Sequence, residues 1–140
     1  MITIEIDQSK ILLNDMISEE VAMHREKIIS IIEFKDQTGI EVVYIAGKVT
    51  GLPYRDVAAK FLRRQLELEA LGYIVINPCN LIAADEDWLT AMKICLYIMP
   101  FADHINLLHD WQDSNGATIE KELAEKLGLN LLTLENTVAP

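Results

Sequence analysis

Positive charge is scarce. The 140-residue chain carries 12 Lys and Arg against 22 Asp and Glu, a formal net charge of −10 at pH 7. Neutralising many phosphates needs clustered Lys and Arg, so a binder of nucleic-acid polymers is not expected. A small phosphorylated ligand held by backbone amides and one or two cations stays open. Cysteine occurs only as Cys79 and Cys95, with no Cys-x-x-Cys and no histidine-rich neighbourhood. A metal site is therefore not expected, and a reduced, cytoplasmic protein without a cofactor is the simplest reading. No apolar run reaches the length of a membrane span, and the acidic N-terminus lacks a basic-then-apolar signal layout. Internal repeats and low-complexity tracts are also missing.

What is present is enough apolar material for one domain with a real core, 51% of the residues. Composition shifts once, at Gln37-Thr38-Gly39. This divides an N-terminal extension, residues 1–40, from a main domain, residues 41–140. Residues 2–6 alternate as a short edge strand does. Residues 18–34 open on a Ser N-cap signal with early acids and read as a helix. Val21, Ile28, Ile31, Ile32 and Phe34 give that helix an apolar face for the main domain or a partner chain.

After Gly39 the pattern is β-α-β-α-β-α-β. Strands are expected over 42–46, 73–76, 104–108 and 129–132. Helices are expected over 55–70 and 88–99, with a third carrying Glu120. Short apolar strands alternating with helices imply an α/β fold, a parallel sheet of four to five strands covered on both faces.

The stretch Trp111-Gln-Asp113-Ser114-Asn-Gly116-Ala117-Thr118-Ile-Glu120 opens that third helix at the end of a strand. Ligands in open α/β sheets sit at the carboxyl ends of strands. A carboxylate in the first helical turn is kept ionised by the positive pole, which suits a nucleophile or a ligand anchor. Outside such a motif, a helix acid is usually a solvated group balanced by a lysine such as Lys121 or Lys126. The loop Gly47-Lys48-Val-Thr50-Gly51 lies at another strand end and suits an anion cradle, or serves as an ordinary turn.

Four blocks carry a resemblance. They are Tyr44-Ile-Ala46-Gly47-Lys48-Val-Thr50-Gly51-Leu-Pro53, Leu71-Gly72-Tyr73-Ile-Val-Ile76-Asn77-Pro78, Asp87-Trp88 leading to Ala102-Asp103, and Trp111-x-x-Ser114-x-Gly116-Ala117-x-x-Glu120. In order and spacing over 42–133 they resemble the nucleoside 2-deoxyribosyltransferase-like superfamily, its small uncharacterised bacterial and phage branch. The resemblance implies a Rossmann-like or flavodoxin-like three-layer sandwich. It implies cleavage or exchange of the N-glycosidic bond of a deoxynucleoside or nucleotide by double displacement, with Glu120 as nucleophile. Gly116, one turn before Glu120, would leave room for the sugar. The loop of Gly47, Lys48, Thr50 and Gly51 would hold base, sugar or 5′-phosphate, with Arg55 near enough to join it. Asn77 either bonds a ligand hydroxyl or shapes a turn. Trp111 either stacks on the base or packs, and Ser114 caps the helix or touches ligand. A homo-oligomer is expected.

One position departs from that pattern. The family's proton-managing Asp falls on Cys95 here, and a thiol is a poor replacement for a carboxyl. Cys95 is then a core residue of an inactive protein, or another acid (Asp87, Asp85 or Asp113) serves, or a partner chain completes the site. The expected function is a transferase or hydrolase using Glu120 and Asp87. The alternatives are a nucleotide-binding sensor without turnover and an interaction protein assembled through the N-terminal helix.

Overall fold

The computed structural model describes residues 18–134. The strand expected over 2–6 and the side chain of Val21 lie outside the described residues. Helix α1 (Ser18–Thr38) is followed by β1 (Val42–Ala46), α2 (Tyr54–Ala70), β2 (Ile74–Ile76), α3 (Trp88–Ile98), β3 (His104–Leu107), α4 (Asn115–Leu127) and β4 (Asn130–Leu131). The four strands form one parallel sheet in the order β2-β1-β3-β4. The chain is an α/β sandwich of the Rossmann-like kind.

Alternation in β1 sorts the core. Val42, Tyr44 and Ala46 face Ile28 of α1, Cys95 and Ile98 of α3, and Ala117 and Ala124 of α4. Val43 and Ile45 face Val57, Phe61 and Leu68 of α2. Both faces of β1 are therefore sealed, as a central parallel strand requires. Chain order places β2 on one side of β1 and β3 on the other. The crevice at the carboxyl ends of β1 and β3 is then a topological switch point, where such sheets hold ligands.

The N-terminal helix packs on the main domain through Ile28, buried, and Ile31, half-buried. Burying one isoleucine is worth about 2 kcal/mol. Ile32 and Phe34, expected on the same packed face, stay exposed, as does Ile29. Lys35 makes an ion pair with Asp103, whose other carboxylate oxygen accepts the Val42 amide at 2.9 Å. Asp103 therefore orders the amino end of β1, away from the crevice. No helix among the described residues is long and apolar enough to cross a membrane.

Candidate functional site

A cavity of about 360 Å³ opens at the carboxyl end of β1, between the loop 47–53, the start of α3 and the amino end of α4. The volume lies near the lower end of small-molecule sites, roughly 300–1,000 Å³. Glu120 lines it and is 5% exposed. Helix α4 begins at Asn115, so Glu120 is its sixth residue and lies in the second turn. The expected first-turn position is corrected accordingly, and the influence of the helix pole is weaker there.

The expectation of a carboxylate kept ionised is also corrected. Burial pushes the Glu120 carboxyl up to about 7, and a hydrogen bond from Tyr44 only partly offsets this. The Tyr44 hydroxyl donates to Glu120 Oε2. Tyr44 is fully buried, and burial followed by the Glu120 charge holds its phenol well above its ordinary value. Cys95 lines the same wall. Burial, then the Glu120 charge, pushes its thiol up to about 12, against a lowering contribution from Tyr44. The thiol stays protonated near neutral pH, so a thiolate role is not available to it. Cys79 also lines the cavity, and burial raises it to about 11.

Tyr44 escaped the sequence reading as a site residue. The signal was a phenol in the otherwise apolar strand Val-Val-Tyr-Ile-Ala, since a buried tyrosine hydroxyl needs a partner. That partner lies 76 residues along the chain.

The other candidates divide. Gly47, Thr50, Gly51, Ser114 and Gly116 line the cavity with Glu120. Ser114 is also the N-cap of α4, its Oγ accepting the Ala117 amide at 3.1 Å. The missing side chain at Gly116 makes room for Met92 and not only for a ligand, because a Cβ there would lie 2.9 Å from Met92 Sδ. Asp87 stands elsewhere. It caps α3, its carboxylate accepting the Thr90 amide at 3.3 Å, and it is exposed and outside the cavity wall. Its carboxyl is held below the ordinary value, first by its hydrogen bond with Thr90. Asp85 and Asp113 are likewise exposed and outside the wall. Glu86 is the cavity's second carboxyl among the described residues. Asn77 shapes the turn after β2: its Oδ1 accepts the Cys79 amide at 2.9 Å and its Nδ2 donates to Gln65. Trp111 is off the cavity wall, packs against the core and lies under the Lys121 ammonium, 5.2 Å from the ring centre. No cluster of three or more His, Cys, Asp or Glu among the described residues is placed to hold a metal.

Lys48, expected in the anion cradle, is not on the cavity wall, and its backbone instead fastens the loop from behind. Its amide donates to Asp110 Oδ1 at 3.1 Å, and its carbonyl accepts from Lys60 Nζ at 2.7 Å. Lys60 also pairs with Asp110 at 2.5 Å. One ammonium and one carboxylate thus tie the loop after β1 to the loop after β3. Burial alone would raise Asp110, but the Lys60 ammonium and the Lys48 amide outweigh it and hold the carboxyl below its ordinary value. Lys60→Met is expected to cost on the order of 2 kcal/mol. That is less than the roughly 3–5 kcal/mol of fully buried pairs, because water reaches both groups. The stabilisation exists above the unfolded Asp value of about 4 and is lost as pH falls through the lower folded value. Urea melts should show the gap between wild type and variant at pH 7 closing toward pH 3. A gap that is constant with pH would mean the pair does not hold the loops.

Residues 41–133 match the family model described as "Domain of unknown function (DUF4406)", about two thirds of the chain. Helix α1 lies outside the match. No curated protein matches the chain.

Proposed function

The chain belongs to the DUF4406 family, and from that premise we propose that it cleaves or transfers the N-glycosidic bond of a deoxynucleoside or its 5′-monophosphate. The observation that carries the reading is the buried Glu120 carboxyl, hydrogen-bonded by Tyr44 in a cavity at the switch point of the sheet. The resemblance to nucleoside 2-deoxyribosyltransferase-like proteins supplies the reaction class.

In the proposed step, ionised Glu120 attacks the anomeric carbon. The carbon–nitrogen bond breaks, and its electron pair leaves on the base nitrogen, which takes a proton from solvent at the cavity mouth. Water or a second base then displaces Glu120 from the glycosyl ester. Tyr44 holds the carboxylate in place and disperses its charge. Cys95 lines the wall where the resemblance implies a carboxylic acid. General acid catalysis is worth about 10²–10⁴-fold, so turnover is expected to be slow and to favour bases that leave readily. The proposed assembly is a homo-oligomer that covers Ile29, Ile32 and Phe34 of α1.

The test is base release from a panel of deoxynucleosides and their monophosphates across pH. Release needs ionised Glu120, so the rate is expected to rise through pH 7 and level off above it. Tyr44→Phe removes the one hydrogen bond that lowers the Glu120 value, and the rising limb should move to higher pH. No release by the wild-type chain at any pH sinks the enzyme reading. Tight binding without release favours the second reading, a nucleotide-binding sensor, which the thiol at Cys95 supports.

A further inference from the structure

We propose that the cavity is built for an uncharged deoxynucleoside and discriminates against its 5′-monophosphate. This inference rests on the N-glycosidic reading above and deepens it. Among the described residues, the charged side chains on the cavity wall are two carboxylates, Glu120 and Glu86, and no Lys, Arg or His joins them.

The cations nearest in sequence to the site are engaged or placed elsewhere: Lys121, next to Glu120, pairs with Glu125, and Lys93, next to Met92, is exposed and off the wall. Lys60 is held by Asp110 and the Lys48 carbonyl. Arg64 reaches over the α2 face of the sheet to Asn106 Oδ1 at 2.6 Å. Arg55 is exposed and, like the Lys48 side chain, is not part of the wall. The amino terminus of α4 opens on the cavity through Ser114 and Gly116. A helix terminus carries roughly half a positive charge. That does not balance two carboxylates and a phosphate of charge close to −2.

The remaining wall is largely apolar, with Val49, Leu52, Ile82 and Met92 among its residues. Such a wall accepts a base and a sugar but lowers the dielectric around any ligand charge. Repulsion from Glu86 and Glu120 is then felt more strongly than in water. The overall charge of −10 adds a field that disfavours anion entry.

The experiment compares the four deoxynucleosides with their 5′-monophosphates on the full chain, at matched ionic strength and pH 8. Base release is followed by chromatography and binding by calorimetry. At least a ten-fold higher kcat/KM, or tighter binding if turnover is absent, is expected for the nucleosides. Glu86→Gln and Glu86→Lys should narrow that ratio in that order, and added salt should narrow it as well. Monophosphates handled as well as or better than nucleosides would overturn the inference and leave the N-glycosidic reading standing. Binding of both with a ratio unmoved by the Glu86 variants would remove the electrostatic cause and overturn it too. Neither release nor binding of any of the eight compounds would overturn the underlying reading, and the inference with it.

Discussion

Glu120→Gln is expected to abolish base release and to make the folded chain more resistant to rising pH. The amide has no charge with which to attack an anomeric carbon. Loss of a nucleophile of this kind lowers kcat by at least about 10³-fold. The stability effect follows from the proton. In the folded chain the buried carboxyl keeps its proton to about pH 7, whereas its ordinary value is 4.5. Between those values the unfolded chain has released a proton that the folded chain still holds, so stability falls as pH rises. The contribution is fully present below pH 4.5 and is gone once pH passes 7. At about 1.4 kcal/mol per pH unit, the loss is on the order of 3 kcal/mol. Glutamine has no proton to lose. Whatever fixed cost its extra N–H donors carry, urea melts at pH 5 and pH 8 should show the variant gaining about 2–3 kcal/mol on wild type between the two. A difference that stays flat with pH would mean that Glu120 is solvated and that the site as described does not exist.

Gly47→Ala is expected to damage both the core and the cavity mouth. A Cβ at Gly47 would lie 2.6 Å from Leu108 Cδ1 and 2.9 Å from Leu108 Cβ. Leu108 is buried and its amide donates to the Ala46 carbonyl at 2.8 Å. A rotamer change can move Cδ1, but it cannot move Cβ. Relief therefore requires the ends of β1 and β3 to part, which strains the Leu108–Ala46 hydrogen bond beneath the cavity. Overpacking of this kind costs about 2–3 kcal/mol. For a chain of this size that is a fall in Tm of roughly 10 °C. Base release should fall too, because Gly47 is itself part of the wall. A variant that melts with wild type would show that the close approach is not what requires glycine here.

Much of the sandwich was legible in the chain. Five consecutive apolar residues define β1 because a central parallel strand buries both faces, and such a run stands out between helices. The end of α2 was legible for a similar reason, with Leu71-Gly72 marking the stop. The outward side of α1 was not. Helical periodicity grouped Ile28, Ile31, Ile32 and Phe34, but only the position of α3 decides which of them it meets.

The site was legible as a list of residues and not as an environment. Glu120 sits among Lys121, Glu122, Glu125 and Lys126, a context that looks wet in sequence. Its burial comes from Tyr44 and Cys95, which the fold brings in from β1 and α3. The resemblance implied an acid where Cys95 stands, and the thiol does line the cavity wall. Asp87 misled because an acid just ahead of a helix satisfies two rules at once. The N-cap rule describes its position.

Tyr44 belongs at once to the packed interior and to the cavity wall. A descendant that gave up all chemistry would still need a large ring there to fill space, so an aromatic at that position is a poor witness to activity. Glu120 is the opposite kind of witness. A desolvated acid weakens the molecule that carries it at neutral pH, so packing alone gives no reason to keep it.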